Sequence, residues 1–300
     1  MRVILLRFVV AFAFIAVVAT GAAQSKIVVF QSDFGVKDGA VSAMKGVAMG
    51  VSSDLKLYDL THEIPAYDIW QGAYRLMQTV PYWPAGTVFV SVIDPGVGTD
   101  RKSVVAKTKT GQYIVTPDNG TLTLIAETLG IAEVREIDEA VNRRKDSEKS
   151  YTFHGRDVYA YTGARLASGV ITYEQVGKAL PDTVVMIKYQ KAVAEGSKIK
   201  GNIPVLDVQY GNVWTNISVD LVKQLNLKPA NSLLVTIYNN NKKVYQGRMP
   251  YVETFGAVGK GKPLAYLNSL LQLSFALNQQ SFASVYHVDS GSGWSVEVTK

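Results

Sequence analysis

Short apolar runs alternate with longer amphipathic stretches through the first half of the chain. Lys26 to Gln31 (KIVVFQ), Leu55 to Leu60 and Val88 to Ile93 (VFVSVI) are rich in β-branched residues and end in polar or turn residues. That is the pattern of strands in a buried parallel sheet. Between them, Asp38 to about Met49 sets Val41, Met44, Val47 and Ala48 at helical spacing, and Asp38 suits an N-cap. Asp68 opens a second helix with Trp70, Ala73, Tyr74 and Met77 on one side. Further strands are predicted over Ser103 to Lys107, Tyr113 to Val115 and Val134 to Ile137, and helices over Thr121 to Leu129 and Asp157 to Ser168. Asp138 to Ser150 reads as a charged loop. The alternation predicts an α/β domain with a parallel or mixed sheet and helices on both faces.

The pattern changes near residue 190. Residues 191–201 (KAVAEGSKIKG) are polar and small, and read as a linker between a domain over 24–190 and another over 202–300. Beyond it, short strands dominate: Ile203 to Val208, Val213 to Ile217, Ser232 to Tyr238, Lys243 to Tyr245, Ala283 to His287 and Trp294 to Val298. One helix, near Val219 to Gln224, interrupts them. A compact β-barrel or sandwich fits this half.

Composition narrows the classes. With 47% hydrophobic and 19% charged residues over 300 positions, the chain can bury sizeable cores and is not disordered. The net charge of +6 is spread thinly. Its longest basic cluster, Arg143-Arg144-Lys145, is followed by Asp146 and Glu148, which reads as a solvated loop and not a nucleic-acid surface. Residues 1–23 have the form of a secretory signal: Arg2 and Arg7, an apolar core from Phe8 to Val18, then Gly21-Ala22-Ala23 before Gln24. Export to the periplasm or outside the cell is expected, with no stable membrane insertion after cleavage. There is no Cys, hence no disulfide and no lipid attachment site.

The candidate chemistry is sparse. Of three histidines, His287 and His62 read as structural, and His154, beside Gly155 at a helix entrance, is the stronger candidate. No Cys and no neighbouring His pair support a zinc site, so no metal is expected. Gly96-x-Gly98 lacks the third Gly of a dinucleotide fingerprint, and no Gly-x-Ser-x-Gly elbow is present. What remains are acids at strand ends: Asp33, Asp59, Asp94 and Asp118. In an open α/β sheet that edge binds ligands, and it is equally where turn and N-cap duty falls. Asp94 begins the turn Asp94-Pro95-Gly96, and Arg101 follows closely enough to fold back toward it. In the second half, Asp207, Tyr210, Asn212, Trp214 and Asn216 alternate as DVQYGNVWTN, either a clamp for a flat heterocycle or an ordinary hairpin.

Taken together, SDFGVKD (Ser32 to Asp38), DLTHEIPAYDI (Asp59 to Ile69), GTVFVSVIDPGVGTDR (Gly86 to Arg101), TPDNG (Thr116 to Gly120), FHGRD (Phe153 to Asp157) and DVQYGNVWTNI (Asp207 to Ile217) resemble the S-adenosyl-L-methionine hydroxide adenosyltransferases, relatives of fluorinase and chlorinase. The resemblance implies an α/β domain followed by a β-barrel domain, and a homotrimer with each site between one subunit's first domain and its neighbour's second. It implies hydrolysis of S-adenosyl-L-methionine to adenosine and methionine, without a further cofactor. Asp94, Arg101 and His154 would be the water-activating triad. Asp33 would hold the ribose hydroxyls, and Asp207, with Asp38, the methionine amino group. Asn212 would contact adenine between Tyr210 and Trp214, Tyr67 would lie near the reacting centre, and Asn268-Ser269 would bind the carboxylate. Asp94 and Val97, where halogenating relatives have Tyr and Thr, favour water over halide. Leu270 and Ala40 stand where those relatives have Arg and Ser. With the export signal, these departures keep open a second expectation, an exported nucleoside-binding or S-adenosyl-L-methionine-binding module with little or no catalysis.

Overall fold

Seven described strands and five described helices of the first half form three layers. The computed structural model describes residues 25–300 apart from Pro95, Val97, Gly98, Pro229 and Ala230, so the expected signal over 1–23 and the Val97 argument lie outside the described residues. In chain order the first half contains β1 (Ile27–Ser32), α1 (Ala40–Val51), β2 (Lys56–Thr61), α2 (Ile69–Thr79), β3 (Val88–Val92), β4 (Ser103–Thr108), β5 (Tyr113–Pro117), α3 (Thr123–Thr128), β6 (Ile131–Glu136), α4 (Glu139–Asn142), α5 (Tyr161–Ser168) and β7 (Ala179–Leu180). The strands make one sheet in the order β2-β1-β3-β5-β4-β6-β7. The pairs β1–β2, β1–β3 and β3–β5 are parallel and the rest antiparallel, a mixed sheet.

Alternation across the sheet explains its two cores. Val28, Phe30, Val88, Val90 and Val92 face α1 and α5, packing on Met44, Ala48, Ala164 and Ala167. Val29 and Phe89 face the other way, onto Leu76 of α2 and Leu122 and Ile125 near α3. Strands buried on both faces need no polar side, which is why β3 is apolar on both faces apart from the buried Ser91. From β1 the chain crosses to β2 on one side and returns to β3 on the other. The carboxyl ends of β1 and β3 therefore meet at the switch point of the sheet, where open α/β folds bind ligands.

The second half contains β8 (Val193–Glu195), β9 (Lys198–Asn202), β10 (Val205–Leu206), β11 (Val213–Ser218), α6 (Val219–Gln224), β12 (Ser232–Asn239), β13 (Lys242–Pro250), β14 (Pro263–Leu267), β15 (Gln272–Leu277), α7 (Phe282–Tyr286) and β16 (Trp294–Thr299). They form two sheets, β10-β11-β15-β14 and β13-β12-β16-β9-β8, over a shared core of Ile199, Val213, Ile217, Val235, Ile237, Phe275, Val296 and others. Among the described residues the ladders do not run as one closed barrel. The inward-outward alternation of β11 serves a sandwich as well as a barrel, so pattern alone did not separate them.

Three local expectations need correction. The stretch 191–201 carries β8 and most of β9, whose Ile199 enters the core, so its polar composition marks an edge hairpin and not a free linker. Ala283 to His287 is not a strand but lies in α7, which Ser281 caps by accepting a hydrogen bond from Ser284 N at 3.0 Å and which His287 ends in a left-handed conformation. The charged segment after Ile137 holds the short helix α4, capped by Asp138.

The two halves are joined through α2. Trp70 Nε1 donates to Pro204 O at 3.1 Å, and Tyr74 OH to Gln272 Oε1 at 3.3 Å. Trp70, Ala73, Tyr74 and Leu124 pack there with Val205, and Trp214 and Leu270 lie against them.

Candidate active site

At the switch point, Asp33 leaves β1 and Asp94 leaves β3. One carboxylate oxygen, Asp33 Oδ2, accepts hydrogen bonds from Tyr67 N at 2.9 Å and from Asp94 N at 3.3 Å. Asp33 thus ties together three expected site residues from three loops. Both of its partners have left-handed backbones, Tyr67 at φ 68° and Asp94 at φ 40°. Non-glycine residues are held there only when their surroundings enforce it, and such strain gathers at functional sites. Asn119, from the TPDNG stretch, enforces it at Asp94 by donating to Ile93 O at 2.8 Å and Asp94 O at 3.0 Å.

Arg101 folds back as its spacing suggests. Its Nη1 donates to Asp94 Oδ2 at 2.7 Å and to Asp94 O at 2.8 Å. Gly96 makes that return possible. At φ +61° a Cβ on it would lie 2.5 Å from Arg101 Cδ. The pair is partly open to solvent, with 36% and 24% of the two side chains exposed.

His154 approaches the same loops but does not bond Asp94 or Arg101 among the described residues. It precedes a π-helical turn, Gly155–Ala160, that runs into α5; such turns recur at functional sites. Gly155 has no room for a side chain, since a Cβ would lie 2.9 Å from the Phe34 ring. Phe34, next to Asp33, meets Phe153 edge-on at 5.8 Å. Arg143 Nη2 lies 3.2 Å from His154 Nε2 and 2.5 Å from Glu139 Oε2. A guanidinium can only donate, so Nε2 is the acceptor and the ring proton sits on Nδ1. Nδ1 is buried, turned toward the Tyr151 backbone. Burial pushes the His154 pKa below its ordinary value, Glu139 opposes this and Arg143 adds to it. Three residues on, Asp157 is buried between Arg156 and Arg144, at 2.7 and 2.9 Å. Burial alone would raise its pKa, but the two arginines outweigh it and hold the carboxyl below the ordinary range.

A polar chain unforeseen in the sequence lies under Asp33. Ser32 Oγ is 2.6 Å from His62 Nδ1, His62 Nε2 is 3.0 Å from Asp59 Oδ1, and Lys45 Nζ is 2.6 Å from Asp59 Oδ2. The ionised Asp59 can only accept, so Nε2–H donates and Nδ1 accepts from the Ser32 hydroxyl. Burial pulls the Asp59 pKa up, yet Lys45 and His62 bring it below its usual value. Ser32 is fully buried, so this Ser-His-Asp string is no accessible nucleophile. It anchors the residue before Asp33. The cue was the spacing Asp59-x-x-His62; its partners come from β1 and α1.

The remaining expected residues gather elsewhere. Asp38 is exposed and accepts from Ala40 N at 2.9 Å, a helix-entry role. Asp207 accepts from Gln209 N at 3.2 Å and from Asn212 Nδ2 at 3.3 Å, closing the turn before β11. Asn212 is buried, while Tyr210 is 67% exposed. Asp207, Tyr210 and Asn212 line one cavity of about 700 Å³ with Phe255 and Tyr266. Asp207 also borders a second, of about 680 Å³, with Trp214, Ser269, Leu270 and Arg75 of α2. Neither cavity contains Asp94, Arg101 or His154, and no hydrogen bond joins the two groups among the described residues. No cluster of three or more His, Asp or Glu suited to a metal occurs among the described residues, and none of the described helices is long and apolar enough to cross a membrane.

Both halves of the chain are similar to known proteins. Residues 28–177 match the SAM hydroxide adenosyltransferase N-terminal domain and residues 201–295 its C-terminal domain. An (R)-S-adenosyl-L-methionine hydrolase of Methanocaldococcus jannaschii is 38% identical over 219 residues, 72% of this chain and 74% of that protein. A fluorinase of Actinopolyspora mzabensis is 28% identical over 301 residues, covering 91% and 97% of the two chains. The crystal structure of an uncharacterized conserved protein from Thermotoga maritima superposes with a TM-score of 0.81 at 33% identity, over 91% of this chain and all of that one. With both domains matched in order, the chain belongs to the SAM hydroxide adenosyltransferase family.

Proposed function

We propose that this protein hydrolyses S-adenosyl-L-methionine to adenosine and L-methionine. The observation that carries the reading is the Asp94–Arg101 pair, held in a strained turn at the switch point and tied through the Asp94 backbone to Asp33. Water or hydroxide attacks the ribose C5′ in line with the sulfonium. The new C–O bond forms as the C–S bond breaks, and its electron pair leaves with methionine as a neutral thioether. No acid is needed for that leaving group. When water is the nucleophile, one proton is released.

Catalysis of this kind rests on orientation and fixed charge. Asp94 Oδ2 holds Arg101, and Oδ1 accepts a hydrogen bond from the water. Arg101 stabilises hydroxide character beside C5′. His154, neutral and held by Arg143, helps to position the same oxygen. Asp33 takes the ribose hydroxyls through Oδ1. A carboxylate at position 94 repels chloride or fluoride, which favours water. No metal and no cofactor beyond the substrate takes part.

The site is completed by a second subunit in a homotrimer, and the protein acts after export. Support for the trimer is the separation of the Asp94 group from the Asp207 cavities, together with Tyr67 and Tyr210 at 75% and 67% exposure. Incubating the mature chain with S-adenosyl-L-methionine and separating products by chromatography tests the activity. A folded protein yielding no adenosine above a blank sinks it, and leaves the binding-module reading. Sedimentation equilibrium tests the trimer, and the N-terminal sequence of exported protein tests the cleavage.

A further inference from the structure

We propose that Arg75 is the residue that holds the substrate's α-carboxylate, across a cavity from the acid that takes its ammonium group. The assignment rests on the hydrolase reading above and names the residue that reads the amino-acid end. Arg75 lies on α2, whose neighbouring residues Trp70 and Tyr74 fasten that helix to Pro204 and Gln272 of the second half. That docking brings its side chain to the cavity of about 680 Å³ bordered by Asp207, Trp214, Ser269 and Leu270.

The guanidinium is placed to take an anion from the cavity. It is partly buried, and burial lowers its pKa, with Tyr74 and then Asp207 acting in the opposite direction. Its hydrogen bond is from Nη1 to the neutral Gln78 Oε1 at 2.8 Å. Among the described residues no carboxylate comes within ion-pair distance. A guanidinium carries five N–H donors in a planar fork. With one nitrogen bonded to Gln78, the rest of the fork remains open to the cavity and can take a carboxylate in bidentate fashion.

The other walls decide which anion. Leu270 brings no charge to the position beside Ser269, so Arg75 is the only cation among the residues lining this cavity. Asp207 and Glu63 line it as well, and two carboxylates repel a simple anion. A zwitterion satisfies both signs, with its ammonium toward Asp207 and its carboxylate in the Arg75 fork, where the Ser269 hydroxyl adds a donor. The cavity meets the one holding Asn212 and Tyr210 at Asp207, so a ligand lying along both would present a flat ring at one end and an amino-acid head at the other.

The test compares S-adenosyl-L-methionine with its decarboxylated analogue, by calorimetric binding to the full mature chain carrying Asp94→Asn so that turnover does not intrude. The unaltered Arg75 should bind the carboxylate-bearing ligand about 10- to 100-fold more tightly. Arg75→Gln should abolish that preference and leave affinity for the analogue unchanged, and Arg75→Lys should restore part of it. Equal affinities with Arg75 intact overturn the assignment without any change at that position. A parallel loss for both ligands in Arg75→Gln overturns it too, since that marks a structural role. Absence of adenosine formation by the parent chain would count against hydrolysis alone, because these readouts require only binding.

Discussion

Removing Arg101 separates the stability of the turn from the chemistry proposed for it. Arg101→Ala deletes two hydrogen bonds to Asp94, at 2.7 and 2.8 Å. More than a third of the Arg101 side chain and about a quarter of Asp94 are open to solvent, so the pair contributes little to folding, roughly 0.2–1 kcal/mol. Asn119 still holds the Asp94 carbonyl. The thermal midpoint should therefore move by only about 1–3 °C for a chain of this size. In the transition state the same guanidinium faces developing negative charge on the attacking oxygen. A preorganised donor in that role is commonly worth about 3–4 kcal/mol, or roughly 100- to 1000-fold in kcat. Because the interaction is made only as charge develops, KM should stay nearly constant. Asp33→Ala gives the contrast, raising KM because the ribose hydroxyls are bound before the reaction as well. Steady-state adenosine production and a melting curve on each variant read both quantities. If Arg101→Ala raises KM as much as Asp33→Ala while kcat holds, Arg101 is a substrate ligand and the mechanism fails.

Gly96→Ala should mimic Arg101→Ala without touching the charge: its Cβ would collide with Arg101 Cδ at 2.5 Å and face a left-handed φ costing about 1–2 kcal/mol, so kcat should fall well beyond what the melting shift implies, and an unchanged kcat would show that Arg101 need not lie across Asp94. The acid sensitivity of the fold should pass through Asp157, whose carboxyl is held below its usual pKa by Arg156 and Arg144. A depressed folded pKa stabilises above the unfolded value, near 3.9, and that gain is lost as pH falls through the folded one; Asp157→Asn should lower the melting point at pH 6 and flatten its decline between pH 4 and 2, and a parallel decline would refute this. His154, with its pKa below the ordinary 6.5, should be neutral at pH 7; kcat/KM should be flat from pH 7 to 8 and fall only under about pH 6.5, with that acid limb reduced in His154→Gln.

The fold was legible where burial follows from period. β1 and β3 are apolar on both faces because helices cover both, and the chain states this as the runs Ile27-Val28-Val29-Phe30 and Val88-Phe89-Val90. Asp68 was readable as an N-cap, and its Oδ1 does accept from Gln71 N at 2.9 Å. What failed were segments whose structure is set by distant partners. Residues 191–201 look like a linker because their exposed edge is polar, yet Lys198–Asn202 pairs with β16 almost a hundred positions away. Ala283 to His287 has β-branched and aromatic residues, but the Ser281 cap makes it helical. Propensity yields to such contacts.

Strand-end acids were readable because their role in the turn is local: Asp33 and Asp94 each follow a strand by one or two residues. The environment of a side chain is not local. His62 looks like an isolated residue after β2, and only the sheet order brings Ser32 of the adjacent strand within 2.6 Å of it. Arg75 reads as one polar position on an amphipathic helix, no different in pattern from Gln71 or Gln78. Its meaning depends on Trp70 reaching Pro204, 134 positions on, which turns that face of α2 toward Asp207 rather than water. A sequence read by local period therefore finds the acids that begin a site and misses the cation that completes it, because the cation is placed by packing between halves and not by its own neighbours.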